Sequence, residues 1–110
     1  MESKFDELYN LIYSPIITPG ILSENAKLEN YNYVKYYREY DNLVVSMECK
    51  LGNNEVAIFN YYFDKKDMLN KVMMKTQKET SVIFDRKLEI EKIKSDLIDE
   101  RYQCTKEEAI

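Results

Sequence analysis

At 110 residues the chain is long enough for one hydrophobic core and is expected to form a single domain over residues 1–110. Its 45% hydrophobic and 13% aromatic content excludes a disordered chain, and a net charge of −4 without clustered Lys and Arg disfavours nucleic acid as a partner. With no histidine, the commonest general base and metal ligand is missing, and so is any Ser-His or Cys-His nucleophile pair.

In chain order, Ser3-Lys4-Phe5-Asp6 matches a capping box, and Phe5, Leu8, Tyr9 and Ile12 repeat at helical spacing. This predicts an amphipathic helix over residues 3–13, ended by the Ser14-Pro15 step. Ile16 to Gly20 reads as an apolar connector with a Pro-Gly turn. Residues 23–29 fit either a further helical turn or a backward extension of the first strand.

Tyr31 to Phe63 is the most informative stretch. Asp41-Asn42 and Gly52-Asn53-Asn54 are turn sequences set between runs rich in Tyr, Val and Phe, which predicts three antiparallel strands. A two-residue Asp41-Asn42 loop would set Tyr40 opposite Leu43, Tyr36 opposite Met47 and Lys35 opposite Glu48. The three-residue loop would set Cys49 opposite Ala57, Met47 opposite Phe59, Val45 opposite Tyr61 and Leu43 opposite Phe63. One face then collects Val34, Tyr36, Tyr40, Leu43, Val45, Met47, Cys49, Leu51, Ala57, Phe59, Tyr61 and Phe63 as the core. Tyr33, Tyr36, Tyr37, Tyr40 and Val44 also have helical spacing, but tyrosine favours strands and the strand register is self-consistent.

A polar loop, Asp64 to Asp67, precedes a fourth strand over residues 68–77, a Gln-Lys-Glu turn and a fifth strand over residues 80–85. Val72, Met74, Thr80, Val82 and Phe84 are expected on the core face. The competing reading is one long helix from Lys65 to Gln103; the β-branched cluster at residues 80–83, followed by Asp85 as a helix cap, argues against it. From Arg86 the pattern becomes helical, with Ile90, Ile93, Leu97 and Ile98 on one side. The expected helix spans residues 86–103, with a polar tail over 104–110. The fold class is therefore α+β: an N-terminal helix, an antiparallel meander of about five strands over residues 31–84, and a C-terminal helix.

Catalytic signatures are missing. Two glycines build no phosphate loop, and the distant Cys49 and Cys104 make neither a zinc site nor a disulfide framework. Asp64 and Asp67, split by two lysines, read as a solvated loop before a Mg²⁺ or Ca²⁺ site. No metal or cofactor and no enzymatic activity are expected. Reduced cysteines and the lack of an apolar leader or membrane-length run suggest a cytoplasmic protein.

The unusual signal is ten tyrosines. Several fall on the sheet face opposite the core, where Tyr33, Tyr37, Val44, Val56, Ile58, Tyr62, Met73 and Ile83 sit among Lys35, Glu39, Ser46, Glu48, Lys50, Asn60 and Lys71. A sheet face that meets only water is more polar than this. Either the N-terminal helix and the residue 14–30 connector cover it, or it binds a protein or a second copy, or it stacks a small ligand. The expected partner-binding set is Tyr33, Tyr37, Val44, Ile58, Tyr62 and Met73. The expected function is a small, acidic, non-enzymatic binding protein of the inhibitor or immunity type. The Lys-, Asn-, Ile- and Tyr-rich usage suits an AT-rich bacterial or phage genome. The alternative is a homo-oligomeric protein that sequesters a nucleotide-like small molecule.

Overall fold

The computed structural model describes the backbone of residues 3–108 and the side chains of residues 3–99. It is α+β: helix α1 (Lys4–Tyr13), a 3-10 segment (Pro19–Lys27), five strands and helix α2 (Arg86–Glu108). The strands are β1 (Tyr31–Glu39), β2 (Asn42–Lys50), β3 (Val56–Phe63), β4 (Leu69–Lys75) and β5 (Thr80–Asp85), in one open antiparallel sheet of order β1-β2-β3-β4-β5. The long-helix alternative for residues 65–103 is thus excluded. The chain divides into two compact units, the sheet with its connector (Pro15–Asp85) and the two helices.

In the sheet unit the β2–β3 register is the expected one, with Cys49 opposite Ala57, Met47 opposite Phe59, Val45 opposite Tyr61 and Leu43 opposite Phe63. The loop between them has Asn53 and Asn54 in the left-handed region, which asparagine tolerates. The β1–β2 register corrects the expectation by two residues. Tyr36 faces Val45, Val34 faces Met47 and Lys35 faces Ser46. The reason lies in the turn, which is Tyr40-Asp41 and not Asp41-Asn42, with Tyr40 itself left-handed at φ 57°. Tyr40 therefore leaves the core face and stands 94% exposed at the hairpin tip. A slip of two keeps every other residue on its face, so the core face survives.

Two further corrections concern β5. Met73 pairs with Val82 and Val72 with Phe84, so Ile83 is an extra, bulged residue. The bulge carries Thr80 and Val82 away from the core face, opposite Lys75 and Met73, and leaves Ser81 and Phe84 on it. A second bulge in β1, at Asn32, puts Tyr31 on the core face beside Val34.

The core comprises Leu22, Val45, Met47, Phe63, Leu69 and Val72, with Ile17, Tyr31, Val34, Leu43, Tyr61 and Phe84 packed against it. Leu22 and Ile17 belong to the connector. It therefore lies on the core face, not on the opposite face as the covered-face reading required. The Tyr36 hydroxyl donates to the Pro19 carbonyl at 2.6 Å, Asn25 approaches the Met47 sulfur at 3.4 Å, and the Leu69 amide donates to the Pro15 carbonyl at 3.3 Å. Residues 23–29, open from sequence, fall largely within the 3-10 segment. Cys49 is buried and its thiol is pushed above its ordinary value by desolvation.

The helical unit is held differently. Ser3 and Asp6 form the expected capping box, with the Asp6 amide donating to the Ser3 hydroxyl at 3.2 Å. Leu8, Leu11, Ile90, Ile93 and Leu97 are half-buried, whereas Ile98 is exposed, because it stands about 100° round the helix from Leu97. Arg86 is buried, and its guanidinium donates to the Leu11 carbonyl in the last turn of α1. α2 runs to Glu108, past the expected stop at Gln103, because no Gly or Pro interrupts it and Lys and Glu are good helix formers. Residues 109–110 of the expected tail, and the Cys104 side chain, lie outside the described residues.

Candidate functional site

The sheet face opposite the core is an array of cross-strand rows. In the first, Tyr37, Val44, Tyr62, Lys71 and Asp85 stand side by side across all five strands. Lys35, Ser46, Asn60, Met73 and Val82 form the second, and Tyr33, Glu48, Ile58, Lys75 and Thr80 the third. All six sequence-predicted residues occupy this face. Their rows are adjacent, so the register alone makes them one surface.

Their roles differ. Val44 is 0% exposed and Ser46 nearly so; these two lie beneath the surface and offer no area to a partner. Tyr37 is 44% exposed, while Tyr33, Ile58, Tyr62 and Met73 are half-buried. Half-burial of a large ring fixes its rotamer while leaving an edge or hydroxyl outside, which suits an anchor. Tyr62 shows this electrostatically. Desolvation raises its phenol above the ordinary value, and the neighbouring Tyr37 and Glu39 raise it further. Tyr37 and Tyr62 stand on either side of Val44 in one cross-strand row.

The rim is charged. The Lys35 ammonium lies over the Tyr33 ring, 4.5 Å from its centroid, and Asn32 donates to the Glu48 carboxylate at 3.0 Å. The expected Lys35–Glu48 pairing does not form, because the two-residue register change puts Tyr33 opposite Glu48. Sequence reasoning also missed Val82, which the β5 bulge adds to this face beside Met73. A one-residue bulge in a short edge strand leaves no local signal.

A second feature is an open hollow of about 350 Å³, lined by Arg38, Asp41, Leu43, Asp64, Lys65 and Asp67. The Asp64 carboxylate is engaged in its own turn, accepting from the Lys66 and Met68 amides at 2.8 and 3.0 Å. Lys65 pairs with Asp41 at 3.5 Å. Among the described residues no group of three His, Cys, Asp or Glu is placed to hold a metal ion, and no helix is long and apolar enough to cross a membrane. Comparison of the chain with protein-family models, with characterised proteins and with solved structures gave no match.

Proposed function

We propose that this is a non-enzymatic protein that binds a protein target through the tyrosine-bearing sheet face, in the manner of an inhibitor or immunity factor of a bacterium or phage acting in the cytoplasm. The observation that carries the reading is the row Tyr37–Val44–Tyr62, in which two partly exposed tyrosines stand on either side of the buried Val44, with Met73 and Val82 in the next row. Such an arrangement supplies rigid aromatic area at its centre and charge at its rim. The connector favours the reading too, since it packs on the core face and not on this one.

A nucleotide-like ligand is less well served. The charged hollow sets three carboxylates, Asp41, Asp64 and Asp67, against two cations, Arg38 and Lys65, and Lys65 is already paired with Asp41, so a phosphate meets a net negative lining.

The test is capture from bacterial lysate with the wild-type protein and with Tyr37→Ser/Tyr62→Ser. The double variant should lose the captured target while its melting temperature stays near that of wild type, because neither ring lies in the sheet core. Retention of the target by the variant would refute the reading. A melting temperature raised by nucleotides and not by protein would favour ligand sequestration instead.

A further inference from the structure

We infer that β1 is a self-docking edge, pairing antiparallel with β1 of a second copy about a two-fold axis at Tyr37. β1 is an outer strand of an open sheet, and residues 35–39 are all exposed. The two-residue turn makes Glu39 and Asn42 a bonded pair, and antiparallel ladders alternate bonded with unbonded pairs. Tyr37 and Lys35 therefore direct their main-chain groups to β2, whereas Val34, Tyr36 and Arg38 direct theirs outward. Among the described residues nothing bonds those outward groups. An unpaired edge of this length invites another strand.

The other edge is a poorer template. β5 has six residues, carries the Ile83 bulge, and runs directly into α2.

The sequence of β1 selects the occupant and the register. With Tyr37 opposite Tyr37 of the second copy, Lys35 faces Glu39 and Glu39 faces Lys35, giving two opposite-charge pairs on the tyrosine-bearing face. On the other face Tyr36 meets Arg38 twice, a cation over a ring each time. The outward-bonding residues, Tyr36 and Arg38, fall opposite each other, as the ladder needs. The next register in one direction sets Arg38 on Arg38, and in the other leaves Lys35 opposite Tyr37. Lys35, Arg38 and Glu39 have no ion-pair partner within the chain among the described residues, so docking breaks no ion pair of theirs. The product is a ten-stranded sheet with both tyrosine-bearing faces on one side. A strand-to-strand contact buries little area, so the association is reversible and concentration-dependent. The inference needs no external target and stands whether or not the proposed function does.

Sedimentation equilibrium of the full chain from about 1 µM to about 1 mM, the range in which so small an interface operates, tests it. Wild type should pass from monomer to dimer. Lys35→Glu and Glu39→Lys each place like charges opposite one another and should weaken the dimer about ten-fold, while the double swap should restore it to within about three-fold. In a Cys104→Ala background, Tyr37→Cys should form an intermolecular disulfide under mild oxidation, because unbonded antiparallel pairs lie within disulfide reach. Arg38→Cys in that background should not. A monomer throughout the range, a dimer indifferent to the single swaps, or a double swap that folds but does not restore it would overturn the inference.

Discussion

The sheet unit and the helical unit solve the same problem by different means. Strand alternation gives the sheet a face that buries Val45, Met47, Phe63, Leu69 and Val72 almost completely. In the helical unit the one fully buried side chain among those described is charged: Arg86, seated on the Leu11 carbonyl. Leu8, Leu11, Ile90, Ile93 and Leu97 are only half-buried, and Phe5, Tyr9 and Tyr13 are exposed. A single helix pair cannot surround its own apolar stripe, so polar contacts carry a larger share of its order than they do in the sheet. The sheet should therefore fail through lost volume, and the helical unit through lost hydrogen bonds.

The largest effect expected is in the sheet. Met47→Ala should cost about 2–5 kcal/mol in chemical denaturation, since Met47 is fully buried at the middle of β2. Phe59→Ala should cost less, because that ring is half-buried. A Met47→Ala midpoint near wild type would mean the sheet is not held by its core.

Arg86→Ala should come next, at about 1.5–3 kcal/mol for a hydrogen bond from a charged donor. Its signature is local: faster hydrogen exchange of α1 and α2 amides with β2 and β3 amides still protected. Uniform loss of protection would show that the two units unfold together and would break the comparison. Asp85 immediately precedes α2, and Asp85→Ala should cost about 1 kcal/mol, read as reduced helicity with sheet signals unchanged.

Alkaline pH sharpens the comparison most gently. Burial raises the Cys49 thiol above its ordinary 9.0 and the Tyr61 and Tyr62 phenols above their ordinary 10.0, with Tyr31 adding to the shift at Tyr61. The folded sheet thus holds these protons more tightly than the unfolded chain. The resulting stability is fully present below about pH 9 and is lost as pH rises through the folded-state values. The melting temperature should fall above that point, with sheet amides losing protection first; a flat profile to pH 11 would contradict the burial of these groups.

Much of this was legible because hydrophobic alternation is a property of residues in sequence. The five strands, the β2–β3 register and the capping box all follow from local patterns around Ser3, Gly52 and Asn53. The illegible parts were those in which a side chain of low propensity was overruled by its surroundings. Tyr40 takes a left-handed backbone that Asp or Asn would adopt more readily, and so moves the first hairpin by two residues. Ile83 bulges and exchanges the faces of Thr80 and Val82. For the candidate site, register places the six residues on one face, but the complete burial of Val44, between Tyr37 and Tyr62, is not written in the alternation of β2. The role of Arg86 depends on a carbonyl seventy-five positions away.

The helical unit is assembled from the two ends of the described chain, with the sheet unit inserted between them. Pro15 is fastened to Leu69 at one end of β4, and Asp85 pairs with Lys71 two residues further along the same strand. Once the sheet has formed, the points from which α1 departs and α2 begins are therefore already close. The entropy of closing a long loop between the helices has by then been spent on strand pairing, and what remains resembles closing a short one. During synthesis α1 emerges before the sheet and α2, so its helix partner within the unit follows it by the whole length of the sheet unit. The core of the sheet unit is made by Pro15–Asp85 residues alone, so the sheet can acquire it before the helix pair forms.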